Sequence, residues 1–203
     1  MSIWNPWHGC HKISEGCLNC YMFRRYALYD KDSTVVTKTA NFNAPVKRKR
    51  DGSYAIQSGV VYACMTSDFF IEEADEWRKD AWSFIRERSD LHFVIITKRI
   101  HRFEVSLPDD WGDGYENVTI CSTCENQRRA DERIPLLLSL PIKHRKIAHE
   151  PMLEHIDLQR TDDTDDDFFH TGVGQLEDLN GAFLPDLLGT LDKLLALHGV
   201  LGG

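Results

Sequence analysis

Cys10, Cys17 and Cys20 set three thiols on one short stretch in the spacing C-x6-C-x2-C, with Tyr21 directly after the third. Three soft ligands are one fewer than a closed tetrahedral metal site needs, and an open coordination position is where chemistry takes place rather than where a fold is pinned. Gly9 and Gly16 let the backbone between the cysteines fold around a metal group. Three readings stand on spacing alone: an iron-sulfur cluster held by the three thiolates, a zinc site completed by His8 or His11, or buried reduced thiols without metal.

The other three cysteines ask for less. Cys121 and Cys124 form a second C-x-x-C, but pairing it with Cys17 and Cys20 in a zinc site would span about a hundred residues, far from ribbon spacing. Ser122 and Glu125 have the spacing of a capping box, which predicts a helix from about Thr123 and puts Cys124 in its first turn, where the helix dipole makes a thiol more reactive. A redox or auxiliary-ligand role competes there with simple packing near the site. Cys64 falls inside an apolar run and reads as inert.

The elements that must position these groups follow from periodicity. Leu18 to Tyr29 contains no Gly or Pro and reads as a helix starting at the third cysteine. Residues 31–59 are polar and punctuated by Pro45 and Gly52, which predicts an irregular crossing with one hairpin. Val60 to Met65, Phe93 to Thr97, Val118 to Cys121 and Lys146 to His149 are runs of strand length, and unbroken apolar runs suit strands covered on both faces. Ala74, Trp77, Ala81, Phe84 and Ile85 recur at helical spacing between the first two runs. The helix expected at Thr123 continues to near Leu138 unless Pro135 bends or ends it. Strands and helices in alternation argue for a parallel α/β sheet, open or closed as a barrel.

In such folds reactive groups collect at the carboxyl ends of the strands. That rule selects Thr66, Ser67 and Asp68, then Lys98 and Arg99, then Cys121 to Asn126, then His149 and Glu150. The chain has 203 residues with 42% hydrophobic content, enough for one sizeable core. Net charge is -8, unevenly placed: residues 1–50 hold nine Lys/Arg against three Asp/Glu, leaving fifteen against twenty-nine in the rest. The basic run Lys47 to Arg50 is a weak nucleic-acid signal, since four charges before an Asp-Gly turn are more often a solvated loop. No apolar run reaches membrane-spanning length and no export signal opens the chain, so a cytoplasmic protein is expected, with metal ligation or catalysis ahead of disulfides as the use of its cysteines.

Trp4-Asn5-Pro6-Trp7-His8-Gly9-Cys10 and Ser14-Glu15-Gly16-Cys17-Leu18-Asn19-Cys20-Tyr21 resemble the phage-associated three-cysteine-motif family of the radical S-adenosylmethionine superfamily. Met65 to Phe70, Thr97-Lys98-Arg99, Glu125-Asn126-Gln127 and His149 to Leu153 match in the same order, so the resemblance covers roughly residues 1–158. It implies a partial (β/α) barrel of TIM type and a [4Fe-4S] cluster on Cys10, Cys17 and Cys20. It also implies S-adenosylmethionine on the open iron, an external electron donor, and a 5'-deoxyadenosyl radical that removes hydrogen from substrate. The expected cofactor contacts come from strand-end position: Lys98 to the carboxylate of S-adenosylmethionine, Ser67 and Asp68 to its ammonium, Glu125 or Asn126 to the ribose, and Tyr21 beside the adenine or the cluster.

The C-x6-C-x2-C loop is longer than the superfamily's usual C-x3-C-x2-C and looks like the family's own variant. After Ile156 the chain departs from the family, whose next strand carries a Gly-Gly-Glu turn. Here Asp162 to Asp167 is an acidic cluster, so residues 161–182 read as a linker and 183–203 as an atypical amphipathic helix, rich in leucine, that packs on the sheet or recruits a protein partner. Phage association and the basic first quarter lean toward a nucleotide or nucleic acid as substrate. A non-catalytic zinc module that contacts nucleic acid through Lys47 to Arg50 is the competing reading, and a degenerate relative kept for its tail helix is a third.

Overall fold

The computed structural model describes residues 1–57 and 59–158. The expected linker and tail helix lie outside them. Five strands form one parallel sheet in the order β1 (Ser2–Trp4), β4 (Gly59–Ala63), β5 (Leu91–Thr97), β6 (Val118–Thr123), β7 (His144–Ala148). Neighbouring strands pair in sequence order with all carboxyl ends on one edge, so the loops that leave them converge there. A short antiparallel ribbon, β2 (Trp7–His8) with β3 (Thr37–Lys38), folds the segment after β1 back on itself.

Three α-helices complete the described fold. α1 (Tyr21–Leu28) begins directly after Cys20, where the third cysteine places it. α2 (Asp75–Glu87) carries Ala81, Trp82 and Ile85 on its buried stripe. α3 (Gln127–Ser139) runs through Pro135 without ending. Its start corrects the capping-box expectation: β6 extends to Thr123, and the cap is Asn126, whose side chain accepts from the Arg129 amide at 2.9 Å. Cys124 is therefore in the loop between β6 and α3, outside the first helical turn.

One face of the sheet is sealed. Val61, Ala63, Phe93, Ile95 and Ile120 are 0% exposed, and Ile147 is 3% exposed. Packing at this density supplies the bulk of the stabilisation, at about 25 cal/mol per Å² of apolar surface buried. Beyond the β4 end lies an aromatic chain, with ring centroids 5.3 Å apart for Trp7 and Phe69, 4.9 Å for Phe69 and Trp82, and 5.2 Å for Trp82 and Trp111. The indoles are anchored at their polar ends as well: Trp4 donates to the Phe42 carbonyl and Trp7 to the Asp68 carbonyl. The tryptophan-rich opening segment thus holds the chain that leads into Cys10.

The basic run enters a turn in which Arg48 pairs with Tyr54 as an isolated bridge. Arg48 donates to the Gly52 carbonyl and the Tyr54 hydroxyl, and its guanidinium lies 4.1 Å from the Tyr54 ring centroid, with Arg88 at 3.9 Å from the same ring. Arg48 is thereby committed to local structure rather than held out for phosphate. Among the described residues no helix is long and apolar enough to cross a membrane.

Candidate active site at the carboxyl edge of the sheet

The cysteine loop lies over the carboxyl edge of the sheet because several bonds tie it there. The Cys10 amide donates to the Ser33 carbonyl, and the Ser67 hydroxyl donates to the Gly9 carbonyl from the loop after β4. Gly9 has φ +87°, and a side-chain carbon there would collide with the Val35 backbone, so glycine is required. Cys17 sits in a 3-10 turn, Glu15–Asn19, and Cys20 is the residue before α1, where its side chain makes no capping bond. Gly16 stacks this turn on the β6 end: an added carbon would lie 3.0 Å from Glu125 Cγ.

Arg99, which strand-end position selected without assigning it a contact, ties the cysteine loop to the sheet edge. Its Nη1 is 3.5 Å from Cys10 Sγ and 3.4 Å from Asp68 Oδ2, and its Nη2 donates to the His11 carbonyl at 2.8 Å. Burial works against this charge, but Asp68 and Cys10 outweigh it and hold the guanidinium above its ordinary pKa. Burial likewise pushes the Cys10 thiol up to about 12, with Arg99 pulling the other way. The available signal was position, since Arg99 directly follows Lys98 at a strand end.

Asp68 serves as the clamp of this edge. Its Oδ1 accepts from the Thr97 hydroxyl at 2.8 Å and the Phe70 amide at 3.0 Å, and Oδ2 accepts from the Lys98 amide at 2.9 Å beside Arg99. A carboxylate has about four acceptor sites, and all are engaged here. Asp68 and Ser67 therefore hold the loops around them in place. Asn126 is occupied as the cap of α3. Tyr21 donates its hydroxyl to the Met65 carbonyl, and burial, with Cys20 and Glu150 nearby, raises its pKa.

Lys98 and Glu125 meet at the same edge, with Glu125 against the turn that carries Cys17. Lys98 Nζ donates to the Glu150 carbonyl at 2.9 Å and lies 3.8 Å from Glu125 Oε2, a partner that Arg133 holds at 2.8 Å. Burial lowers the Lys98 pKa, while Glu125, Cys17 and Cys20 oppose it, which puts two of the three thiols in electrostatic reach of this ammonium. Cys17 also acts on Cys10. Glu125 is 0% exposed, and among the described residues its Oε1 has no hydrogen-bond partner. Leaving a buried acceptor unpaired costs about 1–3 kcal/mol.

The other thiols are closed off. Burial raises Cys121 and Cys124 to about 12 and holds Cys64 well above its ordinary value. Cys64 adopts φ +58°, a left-handed conformation rare outside glycine, which turns the chain at the end of β4 toward Ser67. The histidines offered to zinc are engaged elsewhere: His8 Nδ1 meets Thr66 Oγ1 and His11 Nε2 meets Glu73 Oε1, both at 2.5 Å. Among the described residues no three His, Cys, Asp or Glu side chains converge on one metal-ion position.

A family model described as Protein of unknown function (DUF5131) matches residues 1–198. No curated protein and no solved structure matches the chain.

Proposed function

We propose that this chain, which belongs to the DUF5131 family of proteins of unknown function, is a radical S-adenosylmethionine enzyme. On this reading its five parallel strands are part of a (β/α) barrel. Cys10, Cys17 and Cys20 hold a [4Fe-4S] cluster, and S-adenosylmethionine docks beside it. The chemistry such a cluster supplies when bound is one-electron cleavage of a carbon-sulfur bond of S-adenosylmethionine, giving a 5'-deoxyadenosyl radical that takes hydrogen from substrate.

The observation that carries the reading is the three-cysteine loop laid on the carboxyl edge, with Arg99 against Cys10 and Lys98 beside Glu125. On this reading the ligands are Cys10, Cys17 and Cys20, since Cys121, Cys124, His8 and His11 have other surroundings or partners. Cationic groups beside thiolates offset the negative charge that such a site gathers. Lys98 is placed to receive the carboxylate of S-adenosylmethionine, and the unpaired Glu125 Oε1 to accept from its ammonium or ribose hydroxyls. Arg99, Asp68, Ser67 and Tyr21 position the loop. The Lys98 side chain is 16% exposed, and partial burial would strengthen its contact with a carboxylate.

The test is anaerobic incubation of the reduced, iron-loaded chain with S-adenosylmethionine. The expected product is 5'-deoxyadenosine, with Lys98→Met raising the apparent Kd for S-adenosylmethionine at least tenfold. An iron-loaded protein that yields no 5'-deoxyadenosine overturns the enzymatic reading.

A further inference from the structure

The buried stripe of α3 carries a cation where helical spacing asks for an apolar residue. Ala130, Ile134 and Leu137 recur there, and Arg133 takes the remaining position. A guanidinium on such a stripe loses hydration, so its burial at 6% exposure requires bonds that compensate. Its Nη1 donates to the Thr123 carbonyl at 2.5 Å and to Glu125 Oε2 at 2.8 Å. Arg133 is therefore the hydrogen-bonded counter-ion of the fully buried Glu125.

Lys98 stands near the same carboxylate without bonding to it. Its Nζ lies 3.8 Å from Glu125 Oε2, within ion-pair range but beyond hydrogen-bond length, and donates instead to the Glu150 carbonyl at 2.9 Å. An ammonium has three N–H donors. Among the described residues only the Glu150 carbonyl accepts from this one, so the others are left for a ligand. Without Arg133, Lys98 would be the sole cation within ion-pair distance of Glu125 among the described residues. An approach of about 1 Å would then turn the ion pair into a charge-assisted hydrogen bond of about 2.8 Å. The ammonium that the proposed site offers to a carboxylate would be tied to Glu125.

We propose that Arg133 is a positioning residue of this site: by neutralising Glu125 from the helix side, it keeps Lys98 free to receive the carboxylate of an incoming ligand. Arg133 suits the enclosed side, since one guanidinium nitrogen meets the Thr123 carbonyl and the Glu125 carboxylate together. Lys98, a compact ammonium on a flexible stem, suits the side where a ligand arrives. The inference rests on the proposed docking of S-adenosylmethionine for the identity of that carboxylate, but the placement of Lys98 by Arg133 needs neither iron nor the ligand.

A double-mutant cycle on the iron-loaded full chain tests it, with S-adenosylmethionine as the probe. Arg133→Met should raise the apparent Kd by at least about tenfold while Glu125 is present, and by less than about threefold in a Glu125→Gln background, where no carboxylate captures Lys98. Arg133→Lys, which keeps the charge, should bind within about threefold of wild type. Should Arg133→Met unfold, Arg133→Gln, which retains a donor for the Thr123 carbonyl, takes its place in the cycle. A second measurement uses the full chain without iron or S-adenosylmethionine: acetylation of Lys98 by acetic anhydride at fixed pH, read by mass spectrometry. It should slow by at least about threefold in Arg133→Met and recover in the double variant, because an amine bonded to Glu125 is less often deprotonated. Equal loss of binding in both backgrounds, or acetylation that Arg133→Met leaves unchanged, overturns the proposal. Iron-loaded wild type that binds no S-adenosylmethionine overturns the enzymatic reading instead, and the acetylation rates then decide the placement of Lys98.

Discussion

Arg99 and Asp68 form the pair on which the cysteine edge depends, each with a side chain 7% exposed. Arg99 joins Asp68 to the Cys10 sulfur and the His11 carbonyl, so one side chain spans the β4 loop, the β5 end and the cysteine loop. Arg99→Met leaves a buried carboxylate without its cation and should destabilise the chain by about 3 kcal/mol in urea unfolding. Arg99→Lys should recover part of that loss but not the iron content, because a single ammonium cannot bridge sulfur and carbonyl as the planar guanidinium does. Iron content equal to wild type in a folded Arg99→Met protein would remove Arg99 from the site. Glu125 makes the complementary case: Glu125→Gln supplies an amide in place of a buried carboxylate beside Arg133 and Lys98. It should weaken S-adenosylmethionine binding more than it lowers iron content. At this scale strand-end position was enough to set Asp68, Lys98, Arg99 and Glu125 on one edge, where the structure has them. The partners each side chain takes there were not legible, because a carboxylate that clamps a loop and one that meets a ligand look alike in sequence.

The cysteine loop is an element held by surface ion pairs as well as by its glycines. Glu15, in the turn that carries Cys17, meets Arg129 at 2.9 Å and Arg128 at 3.4 Å on α3. The hydrogen bond from Arg129, foremost, holds the Glu15 carboxyl down to about 2 from an ordinary 4.5. Its contribution is complete above pH 4.5 and is lost as pH falls toward 2. Glu15→Gln should therefore flatten the dependence of Tm on pH between about 4.5 and 2, and high salt should do the same because the pair is exposed. An unchanged profile in Glu15→Gln would show that the latch is absent in solution. Gly9→Ala should cost more than about 1 kcal/mol, through its positive φ and the Val35 backbone, and should lower iron content with it. The strands were readable from their apolar runs, whereas β1 was not: three residues of it lie beside a tryptophan motif that draws attention to chemistry. The α3 start was misread because Ser122 and Glu125 mimic a capping box while β6 pairing with β7 continues to Thr123.

For the whole molecule, the five-stranded parallel sheet followed from alternating runs, and its edge assembled the residues that the strand-end rule selected. What periodicity could not supply was the difference between the two faces. Phe93, Ile95 and Ile120 seal one, while His92, Lys146 and His144 occupy the other, and in sequence both are interleaved within short β-branched runs. The membership in a family of unknown function places no chemistry on this architecture. The central claim is that Cys10, Cys17 and Cys20 hold an iron-sulfur cluster. It is tested most directly by metal analysis and absorption of the chain purified without oxygen. The account predicts a brown protein with about four irons per chain and a broad band near about 400 nm that dithionite bleaches, with both lost in Cys17→Ser. A colourless, folded protein that takes up no iron, or that carries a single zinc, would contradict it.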